Sequence, residues 1–382
     1  MDEKQQNKIF KLTETSLGQG SFGHVYMGRD ETNKKIAIKC CSLEQNGIPN
    51  LLEASLMKSL LHPYLNHAIQ ILCTDEQLLI MQELAVMDLH TYTHRSKMNH
   101  QWTKTELIQV YHSLLQAVYV LHQQQLIHGD IKSNNILIYP QGQVKLTDFT
   151  LTTKKINTLT HTVCTPTHRP LECHLHDPWD ETLDLWSLGC TFYEMTYNCY
   201  LFKKQKHVHQ YINAILDWGQ KQNQALSMSF YHVDYQQMIL CQKWFDDPFE
   251  FNQIIQSLLQ IKPVNRIHSE VLLQHPLFKD LICYNPELVQ PLSKSCSISE
   301  QARVMRYIEQ CTNHPEVQKK AYELYCFIHT DMSEIEKAVG VSWIASKLLL
   351  ETTVMINKII PLEQILKIEK DICHALQFML SY

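Results

Sequence analysis

At 382 residues and 45% apolar composition, the chain is too long for one typical domain, and two or more are expected. A formal net charge of -5 and a pI near 6.5 exclude the basic excess that drives phosphate-backbone binding, so no nucleic-acid partner is indicated. Thirteen scattered cysteines without a CxxC pair read as reduced thiols of a cytoplasmic or nuclear protein, and no structural zinc site is expected despite 21 histidines. The polar start MDEKQQNKIF lacks a secretory core, and no run of about 18 apolar residues occurs, so the expectation is a soluble monomer without a membrane partner.

From Ile9 to about Lys39 apolar and polar residues alternate around glycines, which predicts antiparallel strands with tight turns, Ile36-Ala37-Ile38 among them. Leu51 to Leu61 follows helical spacing and stops at His62-Pro63. Leu78 to Met81 reads as a buried strand. After Trp102 the pattern turns to long helices, with Leu107, Val110, Tyr111, Leu114, Leu115, Val118 and Leu121 on one face. Proline, serine and asparagine mark a linker over 284–299. Residues 300–382 are helical in period, as in Leu362, Ile365, Leu366, Ile372, Ala375, Leu376 and Met379.

Chemistry concentrates in a few segments. Gly18-Gln19-Gly20-Ser21-Phe22-Gly23-His24-Val25 could press backbone amides against phosphates, where a Cβ would block approach; an ordinary glycine turn is the alternative. Lys39 ends the Ile-Ala-Ile strand and can reach phosphates, and Glu53, 14 residues on in the next helix, can hold that lysine. Taken singly, either could be a solvated charge. The decisive stretch is His128-Gly129-Asp130-Ile131-Lys132-Ser133-Asn134-Asn135-Ile136-Leu137, followed by Thr147-Asp148-Phe149. Asp130 can orient or accept the proton of an attacking hydroxyl. Asn135 and Asp148 offer hard oxygens for Mg²⁺, and Lys132 can meet charge developing on a transferred phosphoryl group.

These segments resemble the catalytic loop and metal-binding motif of eukaryotic-type protein kinases, and the resemblance runs over roughly residues 9 to 280. Asp184-Leu185-Trp186-Ser187-Leu188-Gly189-Cys190 resembles that family's central helix, whose aspartate braces the catalytic loop. Pro170-Leu171-Glu172 resembles the end of its activation segment, with Arg266 as the partner of Glu172. The resemblance implies an α+β bilobal fold: a β-rich N-lobe (1–85) and a helical C-lobe (86–283). It also implies ATP and Mg²⁺ as cofactors and a protein substrate. Lys39, Glu53, Asp130 and Lys132 take catalytic roles, and Asn135 and Asp148 take the metal. Nucleotide contacts fall to Gly18, Gln19, Gly20, Ser21, Gly23, Val25, Ala37, Lys39, Glu83, Ala85, Asp88 and Leu137. Within the family the chain is most similar to the cyclin-dependent kinases, through Gly47-Ile48-Pro49-Asn50-Leu51-Leu52-Glu53 and Thr160-His161-Thr162-Val163-Cys164-Thr165. Gln82 is then the gatekeeper, and Lys132 with Thr165 points to Ser/Thr substrates.

Three arginines of the family pattern are replaced here by Leu52, Gly129 and Thr153, so a phosphate on Thr160 would have no bidentate clamp. Activation without that phosphorylation is expected. Thr150 replaces the glycine after Asp-Phe. Trp343-Ile344-Ala345-Ser346-Lys347 and Glu369 to Phe378 resemble part of a cyclin box, which implies a cyclin-like activator carried in the same chain; a generic helical extension is the alternative. A pseudokinase acting as a binding scaffold is the second functional reading, set against Lys39, Asp130, Asn135 and Asp148 all being present.

Overall fold

The computed structural model describes residues 10–20, 23–42, 47–73, 77–95, 102–155, 163–225 and 249–283. The expected linker, the 300–382 helical region with its cyclin-like motif, Ser21 and Thr160 lie outside the described residues.

The described chain divides into two compact units, with the cut between Leu84 and Ala85. The first unit is built on a five-stranded antiparallel sheet of order β1-β2-β3-β5-β4, from β1 (Phe10–Gly20), β2 (Gly23–Asp30), β3 (Lys35–Ser42), β4 (Ala68–Cys73) and β5 (Gln77–Glu83). The β-branched and apolar residues of β3 and β5 suit a pleated surface. Ile36, Ile38, Leu79 and Met81 pack together as its core. A helix, Gly47–Ser59, follows β3, with Leu52, Ala54, Leu56 and Met57 buried. It ends just before His62-Pro63, as its spacing predicts.

Residues His62–Leu65 belong to the second unit, because Leu65 bridges Leu146 and the Tyr64 carbonyl accepts from the Leu146 amide at 2.9 Å. This unit is mainly helical. The Lys104–Gln123 helix opens with a reciprocal capping box: Thr103 Oγ1 accepts from the Glu106 amide while the Thr103 amide donates to Glu106 Oε2. Its predicted apolar face is buried. The Thr182–Tyr197 helix is buried at every position. Tyr111 stacks on Phe192 at 3.6 Å between ring centroids, and its hydroxyl donates to the Phe192 carbonyl. Helix Phe249–Leu258 and the residues after it can approach Gly189 closely because no Cβ intervenes: one would stand 2.8 Å from Leu259 Cγ.

Short strands present the loops of this unit: β6 (Met87–Asp88), β8 (Ile136–Ile138) and β9 (Val144–Leu146) form one ladder, and β7 (Leu126–Ile127) pairs with β10 (Thr153–Lys154). Among the described residues seven cysteines are free thiols, and no helix is long and apolar enough to cross a membrane.

Candidate active site

In the first unit the antiparallel register sets the residues expected at a nucleotide. Gly18 pairs with Val25, Gln19 with His24 and Gly20 with Gly23. Val25 lies opposite Lys39 on β3, and Ala37 opposite Gln82 on β5, with Glu83 at the end of that strand. Gly18 has open space where a Cβ would stand, as close approach of a ligand to backbone requires. Gly23 has another reason to be glycine: a Cβ there would lie 2.6 Å from the Cys40 carbonyl oxygen, so it lets β2 meet β3.

Lys39 Nζ sits 2.8 and 2.7 Å from the two oxygens of Glu53. Glu53 is 1% exposed, so its carboxylate is held by that ammonium in a setting of low dielectric, and the lysine rotamer is fixed with it. Gln82 is buried and its Oε1 accepts from Asn66.

The second unit carries the other expected residues. His128 and Gly129 donate their backbone amides to the two oxygens of Asp184, at 2.8 and 3.0 Å, so the start of the catalytic loop hangs from the fully buried helix. His122 Nε2 lies 3.0 Å from the same carboxylate. Asp130 is the hub. Its Oδ1 accepts from the Thr165 amide and hydroxyl, both at 2.8 Å, and its Oδ2 accepts from Lys132 Nζ at 2.6 Å and Asn135 Nδ2 at 3.1 Å. Lys132 also reaches Thr165 Oγ1 at 2.8 Å. Burial by itself would raise the Asp130 carboxyl; the Lys132 charge and the hydrogen bonds from Lys132 and Thr165 more than offset it and hold it below the usual aspartate value.

Asn135 and Thr147-Asp148 flank the β8–β9 ladder at the same end, where the Asn135 carbonyl accepts from the Thr147 amide at 2.9 Å. The Asn135 amide group is committed to the Asp130 carbonyl and carboxylate, which leaves Oδ1 as the atom it can offer a hard cation. Asp148 sits in the left-handed region (φ 64°, ψ 71°), and its Oδ1 accepts from the Thr150 hydroxyl. A carboxylate and an amide oxygen form a set that suits Mg²⁺, which takes few protein ligands and keeps phosphate and water oxygens.

Asp88 does something the sequence reading did not foresee. Its two oxygens accept from the Thr91 amide and hydroxyl, each at 2.7 Å, and so cap the Leu89–Arg95 helix. Each oxygen keeps a second lone pair, so capping does not use up its capacity toward a ligand. Ala85 lies just before β6, and Leu137 pairs with Asp88 across β6 and β8.

The expected partner of Arg266 is present. Arg266 donates through Nη1 and Nη2 to the two oxygens of Glu172 at 2.6 and 2.9 Å, with both residues buried. Sequence reading missed Thr150 on Asp148, and it missed Glu194, whose two oxygens accept from Ser133 Oγ in the catalytic loop at 2.8 and 2.9 Å. Glu194 had no local signal, because its partner lies 61 residues away.

Of the three positions expected to have lost arginine, Gly129 has φ +79°, and a Cβ there would stand 2.9 Å from the Leu151 carbonyl oxygen. Thr153 is buried in the β10–β7 pair, opposite Ile127. Leu52 is buried in the first unit.

Comparison with known proteins agrees with this geometry. The protein kinase domain profile matches residues 12–278. The chain is 28% identical over 285 residues to Cell division control protein 2 homolog 3 of Trypanosoma brucei brucei, which covers 69% of this chain and 90% of that relative. With a family match over more than half its length and the motif residues assembled as described, the chain belongs to the protein kinase family.

Proposed function

We propose that the chain transfers the γ-phosphoryl group of Mg-ATP to Ser or Thr hydroxyls of a protein substrate. The observation that carries this reading is the hub at Asp130, where Lys132, Thr165 and Asn135 converge on one ionised carboxylate. Bound Mg-ATP supplies the phosphoryl group and the charge neutralisation its transfer needs. Asp130, held below the usual aspartate range, is a weak base in the ground state. It orients the hydroxyl and takes the proton late, as the new P–O bond forms. Lys132 stands beside it to stabilise charge on the transferred group, and the Lys132–Thr165 bridge supports a Ser/Thr rather than a Tyr acceptor. Lys39, fixed by Glu53, is assigned to the phosphates, and Asn135 and Asp148 to the metal.

Activity without phosphate on Thr160 is part of the proposal. A guanidinium at position 129 would have to start from a Cβ that has no room, and the side chain at position 153 is buried. The resemblance of residues 300–382 to a cyclin box supports activation within the chain, through the helix bearing Glu53.

The test is phosphate transfer by the purified chain alone, with Mg-ATP and a generic protein substrate, followed by phosphoamino-acid analysis. Phosphoserine or phosphothreonine is expected from the parent chain and from Thr160→Ala, and none from Asp148→Asn. A chain that binds nucleotide but transfers nothing would instead support a binding scaffold. Truncation after Leu281 is expected to remove most activity; full activity in that fragment would end the in-chain activator reading.

A further inference from the structure

Away from the residues assigned to nucleotide, two imidazoles converge on one carboxylate oxygen. His90 Nδ1 lies 3.1 Å and His94 Nε2 2.8 Å from Glu194 Oε1. The three ligand atoms lie within 4.8 Å of one another, the only such grouping among the described residues. We propose that His90, His94 and Glu194 form a binding site for a divalent transition-metal ion of the zinc class.

The geometry is close to what such an ion requires. Zinc holds histidine nitrogen and carboxylate oxygen at about 2.0–2.1 Å in a tetrahedron, which puts neighbouring ligand atoms roughly 3.3 Å apart. The observed separations fall a few tenths of an ångström short of that, as expected where hydrogen bonds stand in for the ion. The scaffold is rigid on the carboxylate side: Glu194 is fully buried in the Thr182–Tyr197 helix and tied to Ser133. His90 and His94 sit four residues apart on the Leu89–Arg95 helix and so share a face. Tyr200 stacks on His90 at 6.0 Å and its hydroxyl lies 3.1 Å from the same Nδ1.

A second observation comes from another segment. His168 is 2% exposed, and its Nε2 has no hydrogen-bond partner; it lies 3.7 Å from the other oxygen of Glu194. His168 stands outside the three-ligand grouping, but it faces the same carboxylate from a further segment. The Glu194 side chain is fully buried, and a carboxylate in that setting calls for a cationic partner such as a divalent ion.

No CxxC spacing announces this site, because its ligands come from separate segments. Its occupancy would be felt at the catalytic loop. Ser133 Oγ is shared between both Glu194 oxygens and follows Lys132 directly, while His168 ends the Pro166–His168 turn that begins after Thr165.

The test uses the full chain stripped with a chelator and titrated with Co²⁺ and then Zn²⁺. One equivalent of Co²⁺ with the intense visible bands of tetrahedral coordination, displaced by Zn²⁺, is expected. His90→Ala and His94→Ala should each weaken binding about 100-fold, an estimate scaled from ligand-shell losses. His207→Ala, in an exposed histidine pair elsewhere, should leave it unchanged. Both ligand positions are about 30% exposed, so these variants should keep the parent melting curve. Octahedral, multi-equivalent binding, or affinity unchanged in a folded His90→Ala/His94→Ala double variant, would overturn the proposal and leave two histidine–carboxylate hydrogen bonds in its place.

Discussion

Restoring the family's arginine at position 129 should damage this protein rather than improve it. Gly129 has φ +79°, where an L side chain costs about 1–2 kcal/mol. Its new Cβ would also stand 2.9 Å from the Leu151 carbonyl oxygen, a backbone atom that cannot rotate away. Forcing the neighbouring segment aside adds about another 1 kcal/mol, by analogy with overpacking. Gly129→Ala should therefore lose about 2–3 kcal/mol, or roughly 5–10 °C of melting temperature for a domain of this size. Gly129→Arg should lose at least as much and gain no dependence on Thr160 phosphorylation. The assay is denaturant unfolding of parent and variants at pH 7.5, with midpoint and slope fitted separately. An alanine variant within 0.5 kcal/mol of the parent would refute the reasoning, since it would mean that the backbone reaches a right-handed conformation at no cost.

Breaking the buried Arg266–Glu172 pair by Arg266→Met leaves a carboxylate without its partner and should destabilise by about 3–5 kcal/mol, read as a fall in the unfolding midpoint. Asp130→Asn should lower kcat by roughly 10²–10⁴-fold with little change in KM for ATP, checked by steady-state kinetics. His62 and His174 are pushed down to about 4, chiefly by burial. A histidine kept neutral in the fold stabilises above its unfolded pKa near 6.5 and loses that contribution as pH falls toward 4. Unfolding free energy should thus drop by on the order of 2 kcal/mol per histidine across that window, and His174→Phe, which keeps the stack on Tyr211, should flatten the curve.

What could be read from sequence was what is local in sequence. Lys39 and Glu53 are 14 residues apart, at the end of a strand and in the next helix, so their 2.7 Å contact follows from two predictable elements. Asp130, Lys132 and Asn135 lie within one short loop, and their spacing alone nearly specifies their convergence. Gly23 was read as one of three glycines that let a ligand approach the backbone; its close approach to the Cys40 carbonyl was not legible, because sequence does not show which backbone runs alongside. Asp88 was assigned to the nucleotide, and the threonine three residues on adds a helix cap that the sequence reading did not draw. The histidines escaped notice for a geometric reason. His90 and Glu194 are separated by 104 residues, and only the packing of helices brings them together.

The catalytic loop owes its shape to one helix at both ends. Asp184 takes the His128 and Gly129 amides, and ten residues later Glu194 takes the Ser133 hydroxyl. Ten residues of α-helix span about 15 Å, a fixed length that the loop between these contacts must match. The helix is itself immobilised, with every position buried and Gly189 allowing Leu259 to close in. At the loop's centre, Thr165 reaches Asp130 from the segment that Arg169 pins through the Val163 and Cys164 carbonyls. Each restraint joins permanent side chains, and none calls for a phosphate. Under the proposed phosphate-independent activity, these restraints are what would hold the loop, and positions 129 and 153 carry a left-handed backbone and a pairing with Ile127 in place of arginine.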